Sequence, residues 1–396
     1  MPFALPDIGE EEIDEVVDTL RSSWITTGPK VARFEQQFAD YIGVKHALAV
    51  SSCTAGLHLG LEAAGVTDED LVITTPYTFT ASAEVIRYLG ADPVFVDVEP
   101  ATYLIDPSLI QKYCEQECDV QDGVLVHKNS RRRVSAIVPV HIAGLPCDMD
   151  AINSIAERYG LAVIEDAAHS FPTHYKGRLI GSGDGVAAFS FYATKTLTTG
   201  EGGMVTTNDD KTASRIKLMR LHGITHDVWD RYQATTPSWY YEVAELGFKY
   251  NMSDLAAAIG IHQLKKSDRF HQKRSFIAEC YTEAFSALEH IDCPPELPET
   301  VHAWHLYIIR IKNDAINRDQ FIEELARRGI GASVHFIPLH IQPYYRDRYA
   351  LQPNDYPKAL QAYQRSVSLP IFTKMTESDI KRVVDAVSSI SISLAS

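Results

Sequence analysis

The chain has 396 residues, 45% hydrophobic and 22% charged, the balance of an ordinary globular protein with room for two or three domains. This composition excludes a disordered chain, a collagen-like fibre and a coiled coil. Lys and Arg number 37 against 52 Asp and Glu, a net charge of −15 that argues against nucleic acid as a general partner and demands local cations wherever an anion binds.

The N-terminal stretch runs from Met1-Pro2-Phe3-Ala4 into Glu10-Glu11-Glu12, with neither a basic segment nor an apolar one, so no signal peptide is expected. No apolar run approaches the roughly 18 residues of a membrane span. The six cysteines show no framework spacing, which fits a reduced, cytoplasmic chain. Cys114, Cys118 and His127 lack a second ligand pair, and no metal is expected there.

In chain order, strands are predicted at 46–52, 71–76, 93–98, 135–141, 161–167, 186–191 and 203–207, with helical patterns such as 56–64 and 149–159 between them. The strands are near-continuous apolar runs, as in a sheet buried on both faces. Their alternation with helices predicts an α/β domain on a mainly parallel seven-stranded sheet. Beyond it, 254–285 reads as one or two long helices, 301–311 as a strand, 318–328 as a helix ended by Gly329, 332–337 as a strand and 377–390 as a closing amphipathic helix. This predicts a large domain over 1–255 and a smaller α+β domain over 256–396. The polar stretch 113–133, ending in Arg131-Arg132-Arg133, reads as a surface excursion.

Four segments carry chemistry. In Ser51-Ser52-Cys53-Thr54-Ala55-Gly56 a buried strand gives way to a helix, whose free N–H groups make an anion site; a plain N-cap explains the same residues. In Glu165-Asp166-Ala167-Ala168-His169 two carboxylates end an apolar strand. A buried carboxylate needs a partner, and a pyridinium N–H, a salt bridge or a metal would each serve. In Ser190-Phe191-Tyr192-Ala193-Thr194-Lys195 a lysine follows a strand and precedes Gly200-Glu201-Gly202-Gly203, where desolvation would make its amine nucleophilic. In Pro76-Tyr77-Thr78-Phe79-Thr80 an aromatic at a strand end could stack on a flat ring or simply pack in the core. Each lies at a strand end, where open α/β sheets bind ligands, and together they fit a pyridoxal phosphate site.

These segments, with Trp24-Ile25-Thr26-Thr27-Gly28-Pro29-Lys30 and Lys249-Tyr250-Asn251, resemble the sugar aminotransferase family of fold-type I pyridoxal phosphate enzymes (the DegT/DnrJ/EryC/StrS group) from Pro6 to the final helix. The segments 301–306 (VHAWHL) and 344–349 (YYRDRY) further resemble the branch that aminates carbon 4 of a UDP-linked 4-keto pentose, the step that yields UDP-4-amino-4-deoxy-L-arabinose for lipid A modification. The resemblance implies that Lys195 binds the cofactor covalently and moves the proton. Asp166 would pair with the pyridine nitrogen, Thr54, Ala55 and Ser190 would hold phosphate, Phe79 would stack on the ring and His169 would lie beside it. Asn251 would reach the phosphate of a neighbouring subunit, which implies a homodimer with shared sites. The 24–30 loop, through Trp24, Thr26, Thr27, Gly28 and Lys30, and His335 from the small domain would face the sugar nucleotide. L-glutamate would be the donor and 2-oxoglutarate its product. Cys53, where a smaller residue is expected, and Thr196, where Asn is common, depart from the family pattern.

Candidate cations for a diphosphate are Lys30, Arg33, Arg231, Lys249, Arg346 and Arg348. Amination at carbon 3, or at carbon 4 of a 6-deoxy sugar, remains open, because the cofactor segments are common to all these reactions. A sugar dehydratase of the same family would carry His in place of Lys195. A non-catalytic relative should have lost a catalytic group or gained a partner module.

Overall fold

The computed structural model describes residues 1–225, 240–312 and 316–395. All seven expected strands form. They are β1 (His46–Val50), β2 (Asp70–Thr74), β3 (Asp92–Phe95), β6 (Arg133–Val138), β7 (Ala162–Asp166), β8 (Val186–Ser190) and β9 (Gly203–Thr207). They lie in the order β1-β9-β8-β7-β6-β2-β3. The contacts from β8 through β7, β6 and β2 to β3 are parallel, while β9 runs antiparallel to both β1 and β8. The excursion at 113–133 supplies two more strands, β4 (Cys118–Gln121) and β5 (Val124–His127), a hairpin that joins β6 and makes the sheet nine-stranded rather than seven-stranded.

Alternation still assigns faces although almost every strand residue is buried. Leu48, Val50, Val72, Val138, Ala188 and Val205 pack on one face. Ala47, Ala49, Leu71, Ile73, Ile137, Phe189 and Met204 pack on the other. Helix α3 (Cys53–Ala63) lies on the first face through glycines. A Cβ on Gly56 would meet Val205 at 2.9 Å and Ala188 at 3.1 Å, and one on Gly60 would meet Val186 at 3.1 Å.

Helices α1 (Glu10–Ser22) and α2 (Pro29–Ile42) precede the sheet. The helix Asp254–Lys265 packs on both, and its Ala257, Ile261 and Leu264 belong to the first core. A second core starts at Ile277 on the helix Ser267–Phe285 and runs to Ile390 on the helix Glu377–Ala395. A boundary near 255 therefore meets a helix whose buried face is in the first core.

Two strand expectations in this half are corrected. The run 301–311 pairs only at Thr300–Val301 and again at Tyr307–Ile311. Between them the chain turns at Trp304 (φ +51°), and the Trp304 N–H donates to His302 Nδ1 at 2.8 Å. The run 332–337 forms no strand; it bridges at Ser333 with Ser368, and His335 and Phe336 then enter a cavity. Among the described residues, no helix is long and apolar enough to cross a membrane.

Candidate active site

The carboxyl ends of β2, β6, β7 and β8 and the N-terminus of α3 converge on a cavity of about 510 Å³. Lys195, Asp166, His169, Ser190, Thr54, Phe79 and His335 all line it.

Asp166, the last residue of β7, is 6% exposed. The Ser82 hydroxyl donates to its Oδ2 at 2.7 Å and the Ala168 N–H to its Oδ1 at 3.1 Å. The Cys53 thiol donates to the Ala188 carbonyl at 3.2 Å and stands 3.9 Å from Oδ1. Burial raises that thiol well above its ordinary value, so Cys53 is a neutral filler beneath the cavity floor. Ser82 is a residue that sequence reasoning missed. It is fully buried and is itself hydrogen-bonded to Thr78 Oγ1 at 2.7 Å. Because its one proton goes to the carboxylate, Thr78 must donate to it, and the chain Thr78–Ser82–Asp166 fixes the carboxylate's orientation.

Lys195 follows β8 on a turn in which its own N–H donates to the Tyr192 carbonyl at 2.9 Å. Burial lowers its ammonium from the ordinary 10.5 to about 8, against the opposing pull of Cys53 and Asp166. His169 accepts the Ala143 N–H on Nδ1 at 3.1 Å, which places its ring proton on Nε2. Burial, with Lys195 and His335 nearby, holds its pKa far below the usual histidine range, so the ring is neutral. His305, 4.4 Å from it ring to ring, also lines the cavity, and its Nδ1 is buried with no hydrogen-bond partner. The broken strand that aims His305 inward is a tertiary feature with no signal in the residue pattern. Burial, then Lys195, lowers His335 to about 4; its Nδ1 is hydrogen-bonded to Ser368 Oγ at 2.8 Å. His141 also lines the cavity, fully buried, with the Cys147 N–H on Nδ1 at 3.0 Å and Nε2 at 2.9 Å from Glu165.

At the α3 terminus, Ser52 caps the helix by accepting the Ala55 N–H at 3.1 Å. That bond uses the Ala55 donor. Ala55 does not line the cavity, whereas Ser52, Cys53 and Thr54 do. Gly203 allows this close approach, since a Cβ there would lie 2.6 Å from the Ser52 carbonyl carbon and 2.7 Å from the Cys53 nitrogen. Phe79 lines the mouth and is 61% exposed, 6.0 Å from the Phe336 ring.

A second set of expected residues gathers elsewhere. Asn251 donates through Nδ2 to Thr27 Oγ1 at 2.6 Å, Thr27 donates to the Met252 carbonyl at 2.6 Å, and Trp24 Nε1 donates to the Thr27 carbonyl at 3.0 Å. Neither Asn251 nor Trp24, Thr26, Thr27, Gly28 or Lys30 lines the chain's own cavity. The Lys30 ammonium is held by Glu15 at 2.8 Å and Asp18 at 2.6 Å, turned toward α1. The other candidate cations are also engaged within the chain. Arg33 pairs with Glu15, Arg346 with Asp347 and Arg348 with Asp92, while Lys249 donates to Asn251. Arg231 lies outside the described residues.

A lysine with a depressed pKa, a buried acceptor-only carboxylate and a helix N-terminus meet in one cavity, the arrangement of a pyridoxal phosphate enzyme of fold type I. The residues fit that cofactor, because Asp166 forms no ion pair among the described residues and presents its carboxylate to the cavity, where a ring N–H would complete it. The profile of the DegT/DnrJ/EryC1/StrS aminotransferase family matches residues 6–388, and the chain belongs to that family. It is therefore a pyridoxal phosphate-dependent sugar aminotransferase. The chain is 50% identical to the uncharacterized protein MJ1066 of Methanocaldococcus jannaschii over 392 residues, 98% of this chain and 97% of that one. It is 45% identical to the spore coat polysaccharide biosynthesis protein SpsC of Bacillus subtilis over 393 residues, again 98% and 97%. Among solved structures it superposes on the aminotransferase TlmJ of Streptoalloteichus hindustanus with a TM-score of 0.87, 30% identity and complete coverage of both chains. It superposes on PseC of Helicobacter pylori, an aminotransferase of pseudoaminic acid biosynthesis, with a TM-score of 0.87, 26% identity and 99% of each chain covered. A further similar structure, Spr1654 of Streptococcus pneumoniae, has been solved in PLP and PMP forms.

Proposed function

We propose that the chain transfers the amino group of L-glutamate to carbon 4 of a UDP-linked 4-keto sugar, foremost the 4-keto pentose that yields UDP-4-amino-4-deoxy-L-arabinose, and that it works as a homodimer with shared sites. The observation that carries the reaction is the meeting of Lys195 and Asp166 in one cavity, one amine desolvated and one carboxylate held open. Pyridoxal phosphate, when bound, supplies an electron sink and carries the amino group between the two substrates. Lys195 Nζ then takes the proton from the α-carbon of glutamate in one half-reaction and delivers a proton to carbon 4 of the sugar in the other. Its depressed pKa leaves enough neutral amine near pH 7 for the first task and enough ammonium for the second. Asp166 holds the ring nitrogen, the α3 terminus with Thr54 and Ser190 holds phosphate, and neutral His169 offers its Nε2–H beside the ring.

The shared-site reading has two supports. Asn251 and the 24–30 loop are hydrogen-bonded to one another, and none of them lines the chain's own cavity. Phe79 and Tyr192 stand 61% and 48% exposed at the mouth, where a second copy would cover them. The pentose reading rests on the 301–306 and 344–349 segments, of which His305 and Leu306 line the cavity. A second reading, a 4-keto-6-deoxy or 3-keto sugar for glycan synthesis, is favoured by the apolar wall of Leu306, Phe336 and Ile371, which would receive a methyl group.

The test is a reverse half-reaction. Loss of the cofactor's visible band on adding UDP-4-amino-4-deoxy-L-arabinose, but not a UDP-4-amino-4,6-dideoxyhexose, supports the pentose. The opposite result moves the substrate to the 6-deoxy class. Silence with both, while glutamate still bleaches the band, refutes amination at carbon 4 of either sugar. Lys195→Ala should fold, bind the cofactor without bleaching and lose turnover; appreciable transamination by that variant would overturn the assigned base.

A further inference from the structure

One wall of the cavity is built by a segment that no catalytic argument uses. Residues 1–4 cross from the second core to the first: Met1 packs against the second, Phe3 against the first, and Phe3 and Ala4 line the cavity. The Phe3 ring stacks on His335 with centroids 5.4 Å apart and an interplanar angle of 26°. The segment is seated on Gly331, whose N–H donates to the Met1 carbonyl at 2.9 Å. A Cβ on Gly331 would lie 2.8 Å from the Phe3 nitrogen, 3.2 Å from the Pro2 carbonyl carbon and 3.3 Å from the Met1 oxygen. Those are backbone atoms, so any side chain there must push the strap away.

We propose that Phe3 is a substrate-facing specificity residue, the aromatic platform on which the sugar ring lies while its keto carbon faces Lys195. This deepens the proposed reaction and rests on it. Glutamate carries two carboxylates, which ask for cations or hydrogen-bond donors; a phenyl ring is neither. A sugar ring presents a face of C–H groups, which an aromatic face covers well. The stack on His335, itself hydrogen-bonded to Ser368, fixes the phenyl plane before substrate arrives, so little ordering is left for binding.

The experiment compares the two half-reactions in the cofactor-loaded full chain carrying Phe3→Ala, Phe3→Tyr or Gly331→Val. The probes are L-glutamate on one side and the two UDP-linked 4-amino sugars on the other. Band loss gives rate and half-saturation, and calorimetry gives the sugar Kd. Phe3→Ala should weaken sugar binding about tenfold, from the lost aromatic contact, and shift selectivity toward glutamate by at least about fivefold. Phe3→Tyr, which keeps the ring, should stay within about twofold of the parent. Gly331→Val, which lies outside the cavity lining and acts by displacing the strap, should reproduce the Phe3→Ala selectivity shift. Equal losses in both half-reactions would make Phe3 a structural residue and overturn the proposal, as would Phe3→Ala with unaltered sugar Kd. An unsubstituted enzyme that responds to glutamate and to neither sugar would overturn the proposed carbon-4 substrates on which this inference rests, and that outcome is separable because it precedes any substitution.

Discussion

As the proposed covalent anchor of the cofactor, Lys195 should set the pH at which the cofactor-free protein captures pyridoxal phosphate, because only a neutral amine attacks an aldehyde. At the ordinary pKa of 10.5, about one lysine in three thousand is neutral at pH 7; at a pKa of about 8 the fraction is about one in eleven. Burial thus multiplies the reactive amine roughly 300-fold at neutral pH. Mixing cofactor-free protein with pyridoxal phosphate across about pH 6 to 10.5 and following the visible band should give a rate that rises about tenfold between pH 6 and 7, bends near 8 and is flat above about 9. Since burial is the leading cause, Phe336→Ser, which admits water to the cavity wall, should move the bend upward. A rate that still climbs tenfold per pH unit beyond about 9.5 in the parent protein would refute the desolvation argument.

Three further outcomes follow from the geometry. Ser82→Ala removes a charge-assisted bond to Asp166 worth about 1.5–3 kcal/mol and leaves Thr78 without its acceptor, so equilibrium dialysis should show pyridoxal phosphate held at least about tenfold more weakly, and unchanged retention would remove Ser82 from the site. Gly56→Leu drives a side chain into Val205 and Ala188, where a Cβ alone already sits at 2.9 and 3.1 Å; urea unfolding should show a loss of about 1–3 kcal/mol or more, with cofactor retention falling alongside. The lowered Lys195 pKa means that the unfolded chain holds its proton where the folded one has released it, so the cofactor-free protein gains stability as pH rises from about 8 toward 10.5. The Lys195→Met protein should lack that increment, and parallel stability–pH curves for the two would count against the shift.

Strand and helix order was largely legible because β-branched runs and helical periods are local properties. The seven apolar strands, the helix at 149–159 and the cap of α3 needed only neighbouring residues to be recognised. Lys195, Asp166 and Thr54 could be singled out for a related reason, since a lysine after a strand, an acid ending an apolar run and a helix start each carry their own local signature, and the structure brings all three to one cavity. The runs 301–311 and 332–337 were misread because their apolar residues serve the cavity instead of a ladder. His305, Leu306 and Phe336 are apolar or half-apolar residues of these runs, and nothing local says that they line a site, while His335 was reached only through the family resemblance. The surroundings of Lys30 were hidden for the same reason: a lysine in a ligand-like loop gives no hint of the two carboxylates twelve and fifteen residues upstream.

The sequence by itself determined the class of chemistry, because the residue types that hold a pyridoxal ring cannot be exchanged and stand at strand ends that the hydrophobic pattern marks. Only the tertiary structure decided what surrounds that chemistry. The Thr78–Ser82–Asp166 relay, the neutral histidines, the strap that carries Phe3 onto His335 and the bond from Asn251 to Thr27 all join residues distant in sequence. Their energies come from burial and from distances between elements, which exist only once the two cores have closed on each other.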